Sequence, residues 1–182
     1  MRADDAVALI APAVGDAVGA SAAWADLGAG EGTFTRALAR LLGAGSVVHA
    51  IDRDGRALAR LGRTAPDGVA IRAHVADLAD GPAIDALALP PLAGTIAANA
   101  LHFVPVDAQS VVLADWASRL EARGRLIVVE YERLDASPWV PFPIRSAALR
   151  AARVPGLTPF DVVARRPSRF GGEMYVAVAQ RR

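Results

Sequence analysis

The 182-residue chain is 53% hydrophobic and only 5% aromatic, so its core has to be aliphatic, and a net charge of +1 points to no polyanionic partner. It contains no cysteine, and all twenty of its basic residues are arginine. Those two gaps exclude disulfides, thiolate nucleophiles, cysteine zinc and iron–sulfur sites, Schiff-base lysines and the lysine of a phosphate-binding P-loop. No metal site is expected.

A chain of this length is read as one domain spanning residues 1–182. At its start, "AVALIAPAVGDAVGASAA" loosely resembles a secretion leader. However, Asp4 and Asp5 stand where a leader carries positive charge. The stretch is read instead as an amphipathic helix, capped by Asp4 or Asp5 and broken near Pro12. No apolar run reaches the length of a membrane span, and a cytoplasmic location is expected.

Short apolar runs then alternate with helical ones. "AAWADLG" (22–28) predicts a buried strand, and "GTFTRALARLLG" (32–43) a helix closed by Gly43. "SVVHAID" (46–52) predicts a second strand, "DGRALARLGRT" (54–64) a helix begun by Asp54, and "GVAIRAHVAD" (68–77) a third strand. A short helix near 82–88 leads to a fourth strand with its exit loop, "GTIAANALHF" (94–103). The longest helix is expected over 105–124, with Val111, Val112, Trp116 and Leu120 on one face; "RLIVVEYER" (125–133) is the fifth strand. A proline-rich connection, "ASPWVPFP" (136–143), precedes a helix around 144–153. The runs 161–166 and 171–182 then predict an antiparallel hairpin at the sheet edge. The fold class is therefore α/β: a doubly wound, mostly parallel, seven-stranded sheet with helices on both faces and a C-terminal antiparallel hairpin.

"WADLGAGEGTF" (24–34) places Asp26, Gly28, Gly30 and Gly32 at two-residue intervals, where strand one hands over to a helix. In an open parallel sheet this turn lies where ligands bind. Glycines there permit positive φ and close backbone approach, and the helix start aims free N–H groups at the same place. The dinucleotide fingerprint requires a glycine at position 33, where Thr33 stands. An acid two residues before the first glycine also disfavours a pyrophosphate and suits a ligand that brings positive charge.

The motif and the strands and helices downstream of it resemble those of class I S-adenosylmethionine-dependent methyltransferases, and the resemblance runs over essentially the whole chain. It implies S-adenosylmethionine as cofactor, Asp52 at the end of "VVHAID" on the ribose hydroxyls, and Asp77 at the end of "HVAD" on the adenine amino group. Asp54 competes with Asp52 only as a helix cap, whereas Asp80 competes with Asp77 for the adenine. The cofactor-binding set so implied is Asp26, Gly28, Ala29, Gly30, Gly32, Phe34, Asp52, Arg53, Ala76, Asp77 and Asn99. Asp26 is read as the counter-charge to the cofactor.

Methyl transfer is an in-line displacement that needs alignment first and a base only for some acceptors. The candidates at the exits of strands four and five are His102, Glu130 and Tyr131. His102 has the pKa class of a general base, with packing as the alternative. Glu130 orients an acceptor or pairs with an arginine. His49 and His74 lie inside strands and are read as structural. The run Asn99-Ala100-Leu101-His102 departs from the Asn/Asp-Pro-Pro-aromatic signature of family members acting on planar amide or adenine nitrogen. Trp139 and Phe142 either wall an acceptor pocket or pack the last helix.

The expected partner is a small-molecule acceptor, with no membrane involved and a homodimer left open. Residues 145–182 carry eight arginines against Asp161 and Glu173, which keeps RNA as a secondary substrate class. A non-catalytic cofactor-binding subunit and a nicotinamide-dependent reductase are the competing classes.

Overall fold

A computed structural model of the chain describes every residue except 62–64, 66, 67 and 169. The elements run α1 (Ala3–Val14), β1 (Ala23–Leu27), α2 (Thr33–Leu41), β2 (Val47–Asp52), α3 (Gly55–Leu61), β3 (Ala70–Val75) and α4 (Gly81–Asp85). They continue as β4 (Leu92–Ala98), α5 (Val106–Ser118), β5 (Leu120–Tyr131), α6 (Ser146–Ala151), β6 (Asp161–Pro167) and β7 (Glu173–Gln180). The seven strands form one sheet in the order β3-β2-β1-β4-β5-β7-β6. β1 to β5 are mutually parallel, whereas β7 lies antiparallel to both β5 and β6.

Both faces of the sheet are covered, which is why its central strands read as unbroken apolar runs. Trp24, Val48, Ile96, Ile127 and Val129 point to the face packed by α1 and α2, and Ala50 packs under Leu58 and Leu61 of α3. The alternate residues Ala25, Ile51, Ala97, Leu126 and Val128 point to the face packed by α4, α5 and α6. Three helices on each side of a mixed sheet is the architecture expected from the strand–helix alternation.

Several boundaries differ from expectation. α1 starts behind Arg2, with Asp4 and Asp5 in its first turn, and it runs through Pro12 to Val14. Burial of Ala13 and Val14 against α2 holds the last turn although proline has no N–H to give. α5 ends at Ser118, six residues early, and Leu120 already pairs with Leu92 as the first residue of β5. The buried stripe of α5 is Val112, Leu113, Trp116 and Ala117, while Val111 is exposed. Helical spacing puts the turn neighbours 112, 113, 116 and 117 on one face and leaves 111 outside it. β4 stops at Ala98, and its expected continuation is a left-handed Asn99 followed by a 3-10 turn, Leu101–Phe103. Asp54 does begin α3, its Oδ1 accepting from the N–H groups of Arg56 and Ala57; residues 62–64 of the expected helix and Arg169 of the arginine-rich region lie outside the described residues. Among the described residues no helix is long and apolar enough to cross a membrane.

Candidate active site

The strand order reverses between β1 and its two neighbours, β2 on one side and β4 on the other, so the loops leaving β1 and β4 part there and open a crevice. A cavity of about 580 Å³ occupies it, and loops after β1, β2, β3 and β4 all contribute. Gly28 and Gly30 come from the first, Asp52, Arg53 and Asp54 from the second, Ala76, Asp77, Leu78 and Ala79 from the third, and Asn99, Ala100 and Phe103 from the fourth. Seven of the expected cofactor residues therefore meet at one place: Gly28, Gly30, Asp52, Arg53, Ala76, Asp77 and Asn99.

The glycine turn answers its own spacing. Gly28, Gly30 and Gly32 have φ of 70°, 54° and 81°, all in the left-handed region that side chains resist. The three differ in what surrounds them. A Cβ on Gly28 would lie 2.5 Å from Ala100 Cβ, and one on Gly32 1.8 Å from Leu61 Cδ1, so these two glycines serve packing. A Cβ on Gly30 would meet nothing within 4 Å; it would stand in the open cavity. The Gly30 N–H donates to Asp52 Oδ2 at 2.7 Å, and Asp52 Oδ1 accepts from the Asp54 N–H at 2.8 Å. One carboxylate thus ties the first loop to the second.

Asp77 and Asp80 differ in what they do locally. Asp80 Oδ1 accepts from Ala83 N–H as the N-cap of α4. Asp77 stays on the cavity wall, its Oδ1 held by the Ala79 N–H and its Oδ2 3.7 Å from the Arg53 guanidinium. Arg53 also lies 6.0 Å over the Phe103 ring, which bridges the rim. The wall carries three carboxylates (Asp52, Asp54, Asp77) against one guanidinium, an environment that favours a cationic ligand over a pyrophosphate.

Asp26 lies elsewhere. It is 1% exposed, lines neither this cavity nor the next, and accepts from Thr35 Oγ1 at 2.6 Å beneath the loop. Burial raises its pKa to about 7, and the nearby charge of Asp52 adds to that against the Thr35 hydrogen bond. Asp26, read from the sequence as the counter-charge to the cofactor, is thus buried beneath the loop, and the carboxylates that line the cavity are those of the second and third loops. Ala29, Gly32 and Phe34 also lie off the cavity wall; Phe34 faces a different space.

That space is a second cavity of about 490 Å³, walled by Phe34, Asn99, Tyr131, Arg166, Phe170 and Met174 among others. Asn99 is the residue common to both cavities. It has φ of 54°, its N–H donates to Val129 O at 2.8 Å, and its side-chain Oδ1 is buried with no hydrogen-bond partner. Of the three expected catalytic residues, Tyr131 reaches the second cavity, whereas His102 and Glu130 line neither. Those two form a sealed pair, 2% and 1% exposed: His102 Nδ1 is 2.7 Å from Glu130 Oε2, and the His102 N–H donates to Oε1. Glu130 therefore pairs with the histidine rather than with an arginine, and the pair fastens the exit of β4 to the end of β5.

Trp139 is 82% exposed and borders neither cavity, nor does Phe142, whose N–H donates to His102 O. His49 and His74 face each other across β2 and β3 with ring nitrogens 3.0 Å apart. Several of the C-terminal arginines are paired within the chain while staying partly exposed: Arg145 and Arg165 pair with Glu132, Arg166 with Asp5, and Arg181 donates to backbone carbonyls of Ser118 and Leu120. Among the described residues no group of three or more His, Asp or Glu is placed to hold a metal ion. Sequence reasoning missed Phe103 and Leu78 on the first cavity and Arg166 and Phe170 on the second. Only the aromatic character of Phe103, directly after His102, offered a signal.

Residues 25–124 match a family described as a methyltransferase domain. No curated protein sequence matches the chain. Among solved structures, the magnesium protoporphyrin IX methyltransferase of Synechocystis PCC 6803 with bound SAM aligns with a TM-score of 0.66 at 20% identity, over 99% of this chain and 78% of that one. The 1,6-didemethyltoxoflavin-N1-methyltransferase of Burkholderia thailandensis, with bound 1,6-didemethyltoxoflavin and S-adenosylhomocysteine, aligns with a TM-score of 0.68 at 23% identity, over 98% and 77%. The N-methyltransferase NodS of Bradyrhizobium japonicum aligns with a TM-score of 0.69 at 15% identity, over 98% and 94%. At these identities the structural likeness establishes the fold.

Proposed function

The chain belongs to the methyltransferase domain family, and from that premise we propose that residues 1–182 act as a single S-adenosylmethionine-dependent methyltransferase domain that modifies an O, N or C atom of a small molecule. The observation that carries this reading is the convergence of Gly30, Asp52, Asp77 and Asn99, from four separate loops, on one acid-lined cavity with open space above Gly30.

When bound, S-adenosylmethionine supplies a methyl carbon activated by its sulfonium. Asp52, already oriented by two backbone N–H groups, holds the ribose hydroxyls through its remaining lone pairs. Asp77 would accept from the adenine amino group, and Leu78 and Phe103 line the same part of the cavity. Leu78 is steadied from behind, since its carbonyl accepts from Trp116 Nε1 at 2.9 Å. The glycine loop and the start of α2 hold the amino-acid end. Asp26 acts from beneath the loop, as a buried group whose charge responds to the charge above it.

The acceptor enters from the second cavity, and Asn99 forms the partition between donor and acceptor. Its Oδ1 is buried without a hydrogen-bond partner in the chain, so the amide has to turn before that oxygen can accept from a ligand. Tyr131 is the polar side chain of the expected trio that faces the acceptor. His102 and Glu130 act one step back, by holding the Asn99–Phe103 turn in place. Alignment of this kind supplies much of the rate of a displacement at an already activated carbon.

Calorimetry tests the reading. S-adenosylhomocysteine should bind the protein with one site and NAD should not, and Asp52→Ala should remove the binding. A protein that binds NAD and ignores S-adenosylhomocysteine would belong to the reductase reading instead. The basic C-terminal region gives an RNA acceptor less support than its eight arginines suggest, because Arg145 and Arg165 pair with Glu132 and Arg181 donates to backbone carbonyls.

A further inference from the structure

We propose that the acceptor is a planar aromatic acid, held by its carboxylate at the Arg2–Asp5–Arg166 cluster and presented to Asn99 by its ring. This rests on the preceding reading of the second cavity as the acceptor site.

The walls of that cavity divide by chemistry. Phe34, Tyr131 and Phe170 supply three aromatic side chains, and Met174 and Pro167 add soft apolar surface. In a protein with only 5% aromatic residues, three around one cavity is a marked local concentration, and flat rings pack best against flat ligands. The charge lies on the side formed by α1 and β6. Arg2, Asp5 and Arg166 line the cavity there, with Arg166 Nη2 3.1 Å from Asp5 Oδ1 and Arg2 Nε 3.7 Å from Asp5 Oδ2. A single carboxylate serves two guanidiniums and lies closer to Arg166 than to Arg2, so the surplus positive charge of the trio rests with Arg2, beside the Arg166–Asp5 pair. A guanidinium fork matches a carboxylate in geometry, and a surplus of one matches a monoanion rather than a phosphate dianion. Asn99, with its unpartnered Oδ1, is the polar group at the partition with the donor cavity. A ring hydroxyl or amine placed there would be the atom next to the methyl donor. Its lone pair forms the new bond to the methyl carbon as the sulfur–methyl bond breaks with its electrons going to sulfur, S-adenosylhomocysteine leaves, and the proton passes to water.

Three elements distant in sequence build the wall: Phe34 begins α2, Tyr131 ends β5, and Arg166 with Phe170 flank the start of the β6–β7 turn. The cavity volume of about 490 Å³ accommodates one or two fused rings.

The test uses the full chain saturated with S-adenosylhomocysteine. Probes are salicylate, 4-hydroxybenzoate and 1-hydroxy-2-naphthoate, each beside its primary amide, with binding read by calorimetry and saturation-transfer NMR. At least one acid should bind at least tenfold more tightly than its amide. Arg166→Gln should remove that preference, and Phe170→Ala should weaken acid and amide alike, while both variants keep wild-type affinity for S-adenosylhomocysteine. Acids that bind no better than amides, or a preference that survives Arg166→Gln, would overturn the proposal even though the cofactor binds. Loss of S-adenosylhomocysteine binding in the wild-type protein would instead sink the methyltransferase reading on which it rests.

Discussion

Thr35 Oγ1 donates to Asp26 Oδ2 at 2.6 Å in a place where the carboxyl group is 1% exposed and the threonine fully buried. This is a carboxyl group at the mouth of β1 whose proton is retained to about pH 7, chiefly because burial penalises its charge. An acid whose folded pKa exceeds its unfolded value near 3.8 makes the folded state bind more protons in that interval. Its contribution to stability therefore falls as pH rises from about 4 to about 7 and levels off above. Asp26→Asn keeps an acceptor for Thr35 and removes the titration. The variant should gain on the wild type by about 1 kcal/mol per pH unit through that window, measured as the difference between urea midpoints from pH 5 to pH 8. A constant difference would place the charge elsewhere.

His49 sets the opposite slope. Burial, helped by the charges of His74 and Arg72, lowers its pKa to about 4, and His74 is lowered too. A base whose folded pKa is depressed contributes its full stability above the unfolded value near 6.5 and loses it as pH falls toward 4. Acidification should therefore loosen the β2–β3 edge first. Amide exchange in Ala70–Val75 should rise between pH 6.5 and pH 5, and His49→Asn should flatten that rise.

The glycines of the first loop should separate by assay. Gly32→Val drives a side chain into Leu61 and should cost several kcal/mol of stability, since overpacking and a left-handed φ act together. Gly30→Val meets no protein atom, so its fold cost is confined to the backbone strain of about 1–2 kcal/mol. It should nevertheless abolish binding of S-adenosylhomocysteine in calorimetry. Retained micromolar affinity would move the cofactor out of this cavity.

Asp77 and Asp80 offer a similar contrast. Asp77→Asn should weaken S-adenosylhomocysteine by about tenfold with little change in unfolding midpoint, while Asp80→Ala should cost about 1 kcal/mol of stability through its lost cap and leave affinity intact. The reverse pattern would exchange their roles.

Removing the imidazole in His102→Ala leaves Glu130 buried with only backbone donors, and the protein should lose about 3 kcal/mol of stability by urea titration. His102→Asn, which keeps a donor near Glu130, should recover part of it. If His102 acts only by positioning the Asn99 turn, His102→Asn should also recover turnover; a rate as low as that of His102→Ala would assign the imidazole a direct role.

Much of this protein was legible before any coordinate. The alternation of apolar runs with helical ones dictated a parallel sheet covered on both faces, because strands such as "RLIVVEY" have no polar side to give to water. The two-residue spacing of Gly28, Gly30 and Gly32 dictated a loop of left-handed residues at the end of β1, and the family resemblance pointed to Asp52 and Asp77, which line the same cavity. Local pattern failed where local pattern does not decide. Nothing before Gly124 breaks the α5 helix, yet Leu120 leaves it because Leu92 on β4 offers a strand partner. The local difference between Asp77 and Asp80 needed the position of α4, and the burial of Asp26 needed Thr35 folded over it. The second cavity lay furthest from reach. Phe34, Asn99, Tyr131 and Arg166 belong to four separate elements and carry no common spacing, so only the packing of α1, α2 and the C-terminal hairpin against the sheet brings them together. Sequence dictates what is repeated along the chain, whereas a cavity between distant elements exists only once long-range packing has set their distances.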